Sequence, residues 1–476
     1  MSKKQKKTSL LARAKAAAAA ARLTFLSYDA VRPSPTRDPI HASGKSEDDE
    51  LKAKERAELI SGARDQLRNF TIAGFALRKH LQFCSYYRFY ADTPRPEFNK
   101  ALERRVAEWK RRENCDAAGR SGFEELITII ESQRATDGDV GILRLASGRL
   151  QVVEADRIKN PPDVGNSSPE WVQGVKLDAT GRAEKYAIYR RTPAGQFEYE
   201  RTVPARNFDL LTYRTRRDQV RGVSLFAPAL RALGYLYNGL DFAQQKLKLE
   251  QMLGLVTKLN GGGNIAGTDG TDPAAVASLV REKFGRDLLH LALQEGEDAH
   301  FMESNNPSAN FQTFCELVIR LIFAAFDLPY SFFDGSKTNF YGSKGEFEQY
   351  LDTVEKKQAP TIAMLNEWLF DWLLPNWLLD PSDPLFQYWP SGWRLSDLRG
   401  SIGWRGAGLP LWRLFEYVKE TQAAINAGLV DPFALADSFG ENFASNVEKI
   451  GAARELAAQY NVWLPFGQEQ KINTGL

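Results

Sequence analysis

Arg221 to Leu253 reads RGVSLFAPALRALGYLYNGLDFAQQKLKLEQML. Phe226, Leu230, Leu233, Tyr237, Leu240, Ala243 and Leu247 recur at three- and four-residue steps, the period of one helical face. Some thirty residues at about 1.5 Å each predict a rod of about 45 Å, with Gly234 and Gly239 as its weak points.

What lies before this helix has another period. VGILRLASGRLQVVEADRI (Val140 to Ile158) alternates apolar and polar residues around Ser147-Gly148. WVQGVKLDATGRAEKYAIYRRT (Trp171 to Thr192) repeats the pattern around Asp178 to Gly181, and QFEYERTVPARNFDLLTY (Gln196 to Tyr213) continues it. One small antiparallel sheet is expected, so a long helix stands beside a β-rich region. Further upstream, apolar spacing predicts one or two helices over Asp49 to His80, an amphipathic helix over Pro96 to Arg112, and another over Gly122 to Arg134. The last has Phe123, Leu126, Ile127, Ile129 and Ile130 inward.

Downstream, NGGGNIAGTDGTDP (Asn260 to Pro273) invites comparison with a phosphate loop, but no Lys followed by Ser or Thr comes after its last glycine. It reads as a flexible turn. Asp272-Pro273 then opens a short helix through Val276, Leu279, Val280 and Phe284. A helix over Asn310 to Phe326 carries Phe311, Phe314, Val318, Leu321, Ile322 and Ala325, and another resumes near Gly345 through Phe347, Tyr350, Leu351 and Val354. Near the end, Gly428, Asp431-Pro432 and Gly440 punctuate three short helices.

Composition excludes several classes. The chain has 476 residues, 43% hydrophobic and 26% charged, enough for about two to four domains of a globular protein. Lys and Arg number 62 against 60 Asp and Glu, a net charge of +2, so any nucleic-acid role must come from local placement or from many subunits. Cys84, Cys115 and Cys315 lack metal-ligand spacing and suit buried thiols; His41, His80, His290 and His300 are as scattered. The basic, alanine-rich start (Met1 to Phe25) is interrupted by Arg13, Lys15 and Arg22 and reads as a surface helix or arm. Ala30 to Glu50, rich in Pro, Ser and charge, reads as a linker. LNEWLFDWLLPNWLLD (Leu365 to Asp380) is broken by Asp371 and Pro375 and is too short to span a bilayer.

Four segments together resemble the lambda-type portal proteins of tailed phages. They are RAELISGARDQLRNFTIAGFALRKH (Arg56 to His80), FEELITIIESQRATDGDVGILRL (Phe123 to Leu145) with QVVEADRI, YRTRRDQVRGVSLFAPALRAL (Tyr213 to Leu233), and FDGSKTNFYGSKGEFEQY (Phe333 to Tyr350). They occur in the family's order. The resemblance implies a predominantly helical α+β fold of wing, stem, clip and crown. On that plan residues 1–50 form a basic arm and linker, 51–222 the wing, 223–254 the first stem helix, 255–271 the clip tip and 272–286 the second stem helix. Residues 287–330 continue the wing, 331–358 form the tunnel loop and its helix, and 359–476 the wing end and helical crown.

The same resemblance implies a non-enzymatic ring of probably twelve subunits at one capsid vertex, through which double-stranded DNA is packaged and ejected. Its expected partners are itself, DNA bound without sequence preference, the terminase large subunit, a major capsid or scaffold protein and a head-completion adaptor. It implies no cofactor, metal or membrane, and location in the virion, with assembly in the host cytoplasm. Lys337, Asn339 and Lys344 become candidate DNA-facing groups, and Gly335, Gly342 and Gly345 hinges of a moving loop. A closed ring turns one lysine per subunit into a belt of positive charge.

Other basic positions leave a choice. Lys246 and Lys248 share their helix with Glu250 and Asp241 and suit lateral salt bridges better than channel lining; for Arg214, Arg216, Arg217 and Arg221 the choice is between a DNA or stem-base role and the plainer solvated or inter-subunit ion-pair face. The rival readings are a metal-dependent nucleic-acid enzyme using Asp137, Asp139 and Glu154, and a structural capsid or scaffold protein without a channel.

Overall fold

A computed structural model describes residues 45–164, 168, 170–251, 254–258, 289–293, 309–337, 339–406, 414–439 and 443–462. The chain divides into two units, Met1–Leu51 and Lys52–Leu476. In the first, a single helical turn, Glu47–Glu50, starts at Ser46, whose hydroxyl oxygen accepts from the Asp49 amide. Its four acidic side chains suit the positive end of the helix dipole. The rest of the arm lies outside the described residues.

The second unit opens with α1 (Ala53–Asn69) and α2 (Thr71–Cys84), separated by Phe70 in an extended conformation. Strand β1 (Tyr87–Ala91) leads to α3 (Pro96–Trp109), where Pro96 starts the helix and Phe98, Leu102, Val106 and Trp109 form one buried line. Helix α4 (Phe123–Asp137) ends on Gly138, at φ +92°. Its buried stripe is Phe123, Leu126, Ile127 and Ile130, but Ile129, expected inward, is 37% exposed. At about 100° per residue, position 129 falls well off that stripe.

The expected single sheet is two. Strands β2 (Asp139–Arg144) and β3 (Leu150–Glu154) form a hairpin; β4 (Trp171–Val172), β5 (Val175–Leu177), β6 (Ala183–Arg191) and β7 (Phe197–Pro204) form a separate four-stranded meander. The chain then returns as β8 (Phe208–Thr212), which pairs antiparallel with β2, Val140 opposite Leu211, to give the order β3-β2-β8. Strand β2 is buried on both faces, with Val140 and Ile142 in one core and Leu143 in another. The second of these joins the two sheets through Val153, Ile158, Tyr186, Ile188 and Phe208.

The long rod, α5, runs Leu230–Gln251 rather than from residue 223, because turns at Ala227 and Ala229 precede it. Strands β9 (Gly254–Lys258) and β10 (Leu289–Leu293) pair in parallel. The sequence reading places no strand in the clip tip of 255–271 and misses this pair: LHLAL alternates apolar positions, but in GLVTK Leu255 and Val256 are adjacent. The remainder of the tip and the helix expected over 272–286 lie outside the described residues.

Helix α6 (Ala309–Ala325) precedes α7 (Phe340–Trp368), which passes through a π-helical turn, Leu369–Leu373, into α8 (Leu374–Leu379). Strand β11 (Ile402–Gly406) returns to pair with β1. Three further helices match the expectation: α9 (Leu414–Asn426), α10 (Pro432–Ser438) and α11 (Phe443–Gln459). Gly428 at φ +70° follows α9, and the Asp431 carboxylate accepts from the Ala434 amide at 2.8 Å to start α10; Gly440 lies outside the described residues. Two large cores hold the unit: α3, α4, β2 and the 364–404 region share one, and α1, α2, α5, α6 and the start of α7 share the other. Among the described residues no helix is long and apolar enough to cross a membrane.

Candidate nucleic-acid interface

The segment between α6 and α7 is tied at both ends. Asp327 adopts a left-handed φ of +54°, the Leu328 amide donates to the Phe323 carbonyl and the Asp327 amide to that of Ala324, which closes α6 in a Schellman turn. Lys357 of α7 clamps this end, donating to the Phe326 carbonyl at 2.6 Å and pairing with Asp327 at 3.0 Å. Next come two aromatic anchors. Phe332 stacks on Phe83 and meets Tyr350 edge-on, at centroid distances of 5.7 and 5.3 Å, while Phe333 packs edge-on against Phe75 and Phe323. Ser331 donates to the Glu346 carboxylate at 2.5 Å, stapling the entry of the loop to α7.

Between these anchors, a 3₁₀ turn, Gly335–Lys337, leads to Asn339. The Asn339 side chain does a specific job: its Oδ1 accepts from the Gly342 amide at 2.7 Å and caps α7. The helix therefore starts at Phe340, not near Gly345 as the sequence suggested, because the cap, Asn339, lies well ahead of the apolar stripe that begins at Phe347. Gly342 and Gly345 are helical residues in its opening turns. Gly335 belongs to the 3₁₀ turn and is exposed. Lys344 lies on the helix and pairs with Glu348 at 3.5 Å, one turn on. Lys337 ends the 3₁₀ turn, and its side chain falls outside the described residues. Lys337, Asn339 and Lys344 thus share one short loop and the helix start that follows it.

The other basic candidates separate. Arg214, Arg216 and Arg217 are exposed, and Arg216 pairs with Asp218 at 3.3 Å. Arg221 departs from the expectation of a surface face: it is buried and donates to both oxygens of Asp139, at 2.7 and 3.0 Å, and to the carbonyls of Ala155, Ile158 and Gln173. Arg56 approaches the same carboxylate at 2.8 Å. Burial alone would raise the Asp139 pKa, but the charges of Arg221 and Arg56 hold it below the ordinary range. Arg56, desolvated and repelled by Arg221, is pushed down to about 10. The helix-side Lys246 and Lys248 have side chains outside the described residues, while Asp241 accepts from Gln245 at 2.8 Å.

The carboxylates of the metal reading are committed to arginines. Asp137 meets Arg64 at 2.5 Å, Glu154 lies 3.6 Å from Arg64 and 3.8 Å from Arg191, and Asp139 is locked as above. Among the described residues no group of three His, Cys, Asp or Glu could hold a metal ion. Sequence reasoning missed the Asp139–Arg221 lock; its signal was the glycine beside each partner. A Cβ on Gly222 would fall 1.9 Å from the Gly138 carbonyl oxygen, so the two backbones touch where no side chain fits. It also missed a buried cluster in which Glu131 receives Tyr213 at 2.6 Å, His80 at 2.9 Å and Arg134 at 3.1 Å.

A family model described as phage portal protein, lambda family, matches residues 35–358. No curated protein matches. Among solved structures the chain is similar to one titled "Virion of native gene transfer agent (GTA) particle", at 16% identity over 81% of this chain and 93% of that one, TM-score 0.46. It is similar also to "Neck of native GTA particle computed with C12 symmetry", at 15% identity over 82% and 94%, TM-score 0.48.

Proposed function

The chain belongs to the lambda family of phage portal proteins, and from that premise we propose that its copies close into a ring, of twelve subunits, at one capsid vertex, with double-stranded DNA passing through the centre during packaging and ejection. On this reading residues 51–222 with 287–330 form the wing, α5 the first stem helix, the region around β9 the clip, and the helices after 359 the wing end and crown. The clip would dock the terminase large subunit and the head-completion adaptor, and the rim would meet the capsid or scaffold protein.

The observation that carries the reading is the loop itself, within the matched region. Its entry is fixed by Phe332, Phe333 and the Lys357 clamp, its exit by the Asn339 cap, and Lys337 and Lys344 lie on either side of that cap. Such an element can reach into a channel without loosening the body behind it. Contacts between side chains of this kind and phosphates carry no sequence information, so DNA can slide past them. Gly342 and Gly345 weaken the first turns of α7, since each glycine in a helix costs about 1 kcal/mol relative to alanine. The tip could then unwind and rewind as DNA passes.

A ring also needs lateral contacts. Helix α6 turns Phe314, Leu317 and Leu321 outward, at 43, 56 and 53% exposure, one apolar line at helical spacing. We assign this line to the neighbouring subunit.

The test is DNA packaging by particles carrying Lys337→Ala with Lys344→Ala. Rings should assemble normally while packaging or retention of DNA changes; unaltered packaging would remove both lysines from the channel.

A further inference from the structure

We propose that the open edge of β8 is a docking groove for an extended, acidic segment of a partner protein, which adds to the sheet as a further strand. Strand β8 is hydrogen-bonded to β2 along one side only and stands last in the order β3-β2-β8. On its other side the Phe208 amide donates to the Ala205 carbonyl at the start of the strand, and among the described residues no backbone partner occupies Leu210 or Thr212 there. An unpaired edge of this kind is a template for another strand unless charge, proline or a bulge blunts it. Here Phe208, Leu210 and Leu211 are apolar, and the one charge on the strand, Asp209, is engaged by Arg144 and the Trp368 indole.

A groove of about 860 Å³ follows this edge. Its lining includes every residue from Phe208 to Tyr213. A strand presented face-on would supply alternate residues, so the groove runs along the edge. The opposite wall is a single face of α7, with Thr353, Lys356, Pro360, Ala363 and Glu367 at three- and four-residue steps. That face is about 21 Å long at about 1.5 Å per residue, and six strand residues span about 20 Å at about 3.4 Å each. A second hollow, of about 560 Å³, shares Tyr186, Leu210 and Arg214 with the first and lengthens the path.

Charge selects the occupant. Lys357 and Asp327 pair with each other, Asp209 pairs with Arg144, and Arg134 with Glu131. Arg182, Arg214 and Lys356 are exposed along the groove with no ion pair among the described residues, against the single carboxylate of Glu367. A row of backbone donors and acceptors flanked by unpaired cations is matched by an extended chain with acidic side chains, the strand-addition mode of peptide recognition. A nucleic-acid backbone would use the cations and leave the strand edge unread.

The test uses the full chain and a labelled peptide of about six residues, alternating glutamate with valine, to match the groove length. Its lysine counterpart, a version N-methylated at alternate amides, and a short duplex DNA serve as comparisons. Anisotropy should show the acidic peptide binding and both altered peptides failing. Binding to Arg214→Glu with Lys356→Glu should be at least about tenfold weaker, since two exposed charge contacts contribute about 1.4 kcal/mol together. In the unaltered protein, amide exchange at residues 208–212 should slow when the peptide is present, a readout independent of the variant's folding. Absence of binding, equal binding of the lysine or N-methylated peptide, unchanged exchange, or displacement of the acidic peptide by duplex DNA would overturn the proposal.

Discussion

Arg221 holds both carboxylate oxygens of Asp139 across 82 residues of sequence, through Nε at 2.7 Å and Nη2 at 3.0 Å. The contact fastens the segment entering α5 to the start of β2, so the rod is anchored in the body of the molecule by a buried fork. Arg221→Ala leaves Asp139 buried beside Arg56 alone, and should destabilise the chain by about 3–5 kcal/mol. Arg221→Lys should recover little of this, because an ammonium cannot reproduce the two-pronged geometry. Urea unfolding of the three proteins checks both expectations; a loss below about 1 kcal/mol for the alanine variant, the range of an exposed pair, would contradict the buried lock.

The opening turns of α7 make a second prediction. A Cβ added at Gly345 meets nothing within 4 Å, so Gly345→Ala should stabilise the protein by up to about 1 kcal/mol. Asn339→Ala, which removes the cap, should cost about 0.5–2 kcal/mol. If the turn must loosen as DNA passes, the more stable Gly345→Ala protein packages DNA more slowly. Equal packaging rates would show that the glycine is there for no such motion.

Acid should weaken the fold through the cluster around Glu131. Burial holds His80 below its ordinary 6.5 despite the hydrogen bond it gives to Glu131, so the unfolded chain binds a proton near that pH that the folded chain refuses. Stability therefore falls as pH drops through 6.5. Burial would raise Glu131, but Arg134 and then His80 hold it below 4.5, adding a second loss in the same direction as pH drops below that value. Denaturant midpoints between pH 8 and 5, an interval of about three units around the histidine value, should decline for the natural protein and stay flatter for His80→Gln. Parallel curves would remove His80 from the explanation.

The outward line on α6 predicts an assembly defect without a folding defect. Leu317→Glu with Leu321→Glu should leave thermal stability within about 0.5 kcal/mol, as for exposed positions, because neither side chain is buried in one chain. Sedimentation should show subunits in place of the larger species. Unimpaired assembly would move the lateral contact elsewhere.

Much of the fold was legible from periodicity and caps. The α1–α2 pair, α3, α4 and the three terminal helices follow from local signals, as Pro96, Gly138, Gly428 and Asp431 show. What could not be read was non-local. Strand β8 leaves its neighbouring meander to pair with β2 because Leu211 and Val140 share a core, and that partnership has no local mark. Arg221 sits in a basic run whose other members are solvated, and only the close approach of Gly222 to Gly138 distinguishes it. At the loop, lysine, asparagine and glycine were visible as residue types, but Asn339's role as a cap depends on where the helix starts, which its apolar stripe conceals.

Imaging the purified full chain by electron microscopy after assembly tests the central claim most directly. The account predicts a closed ring around an open channel, with the Gly335–Lys344 segment of every subunit facing the lumen. Monomers or dimers at every concentration and salt tested, or a ring whose residues 335–344 lie on the outer surface, would contradict it.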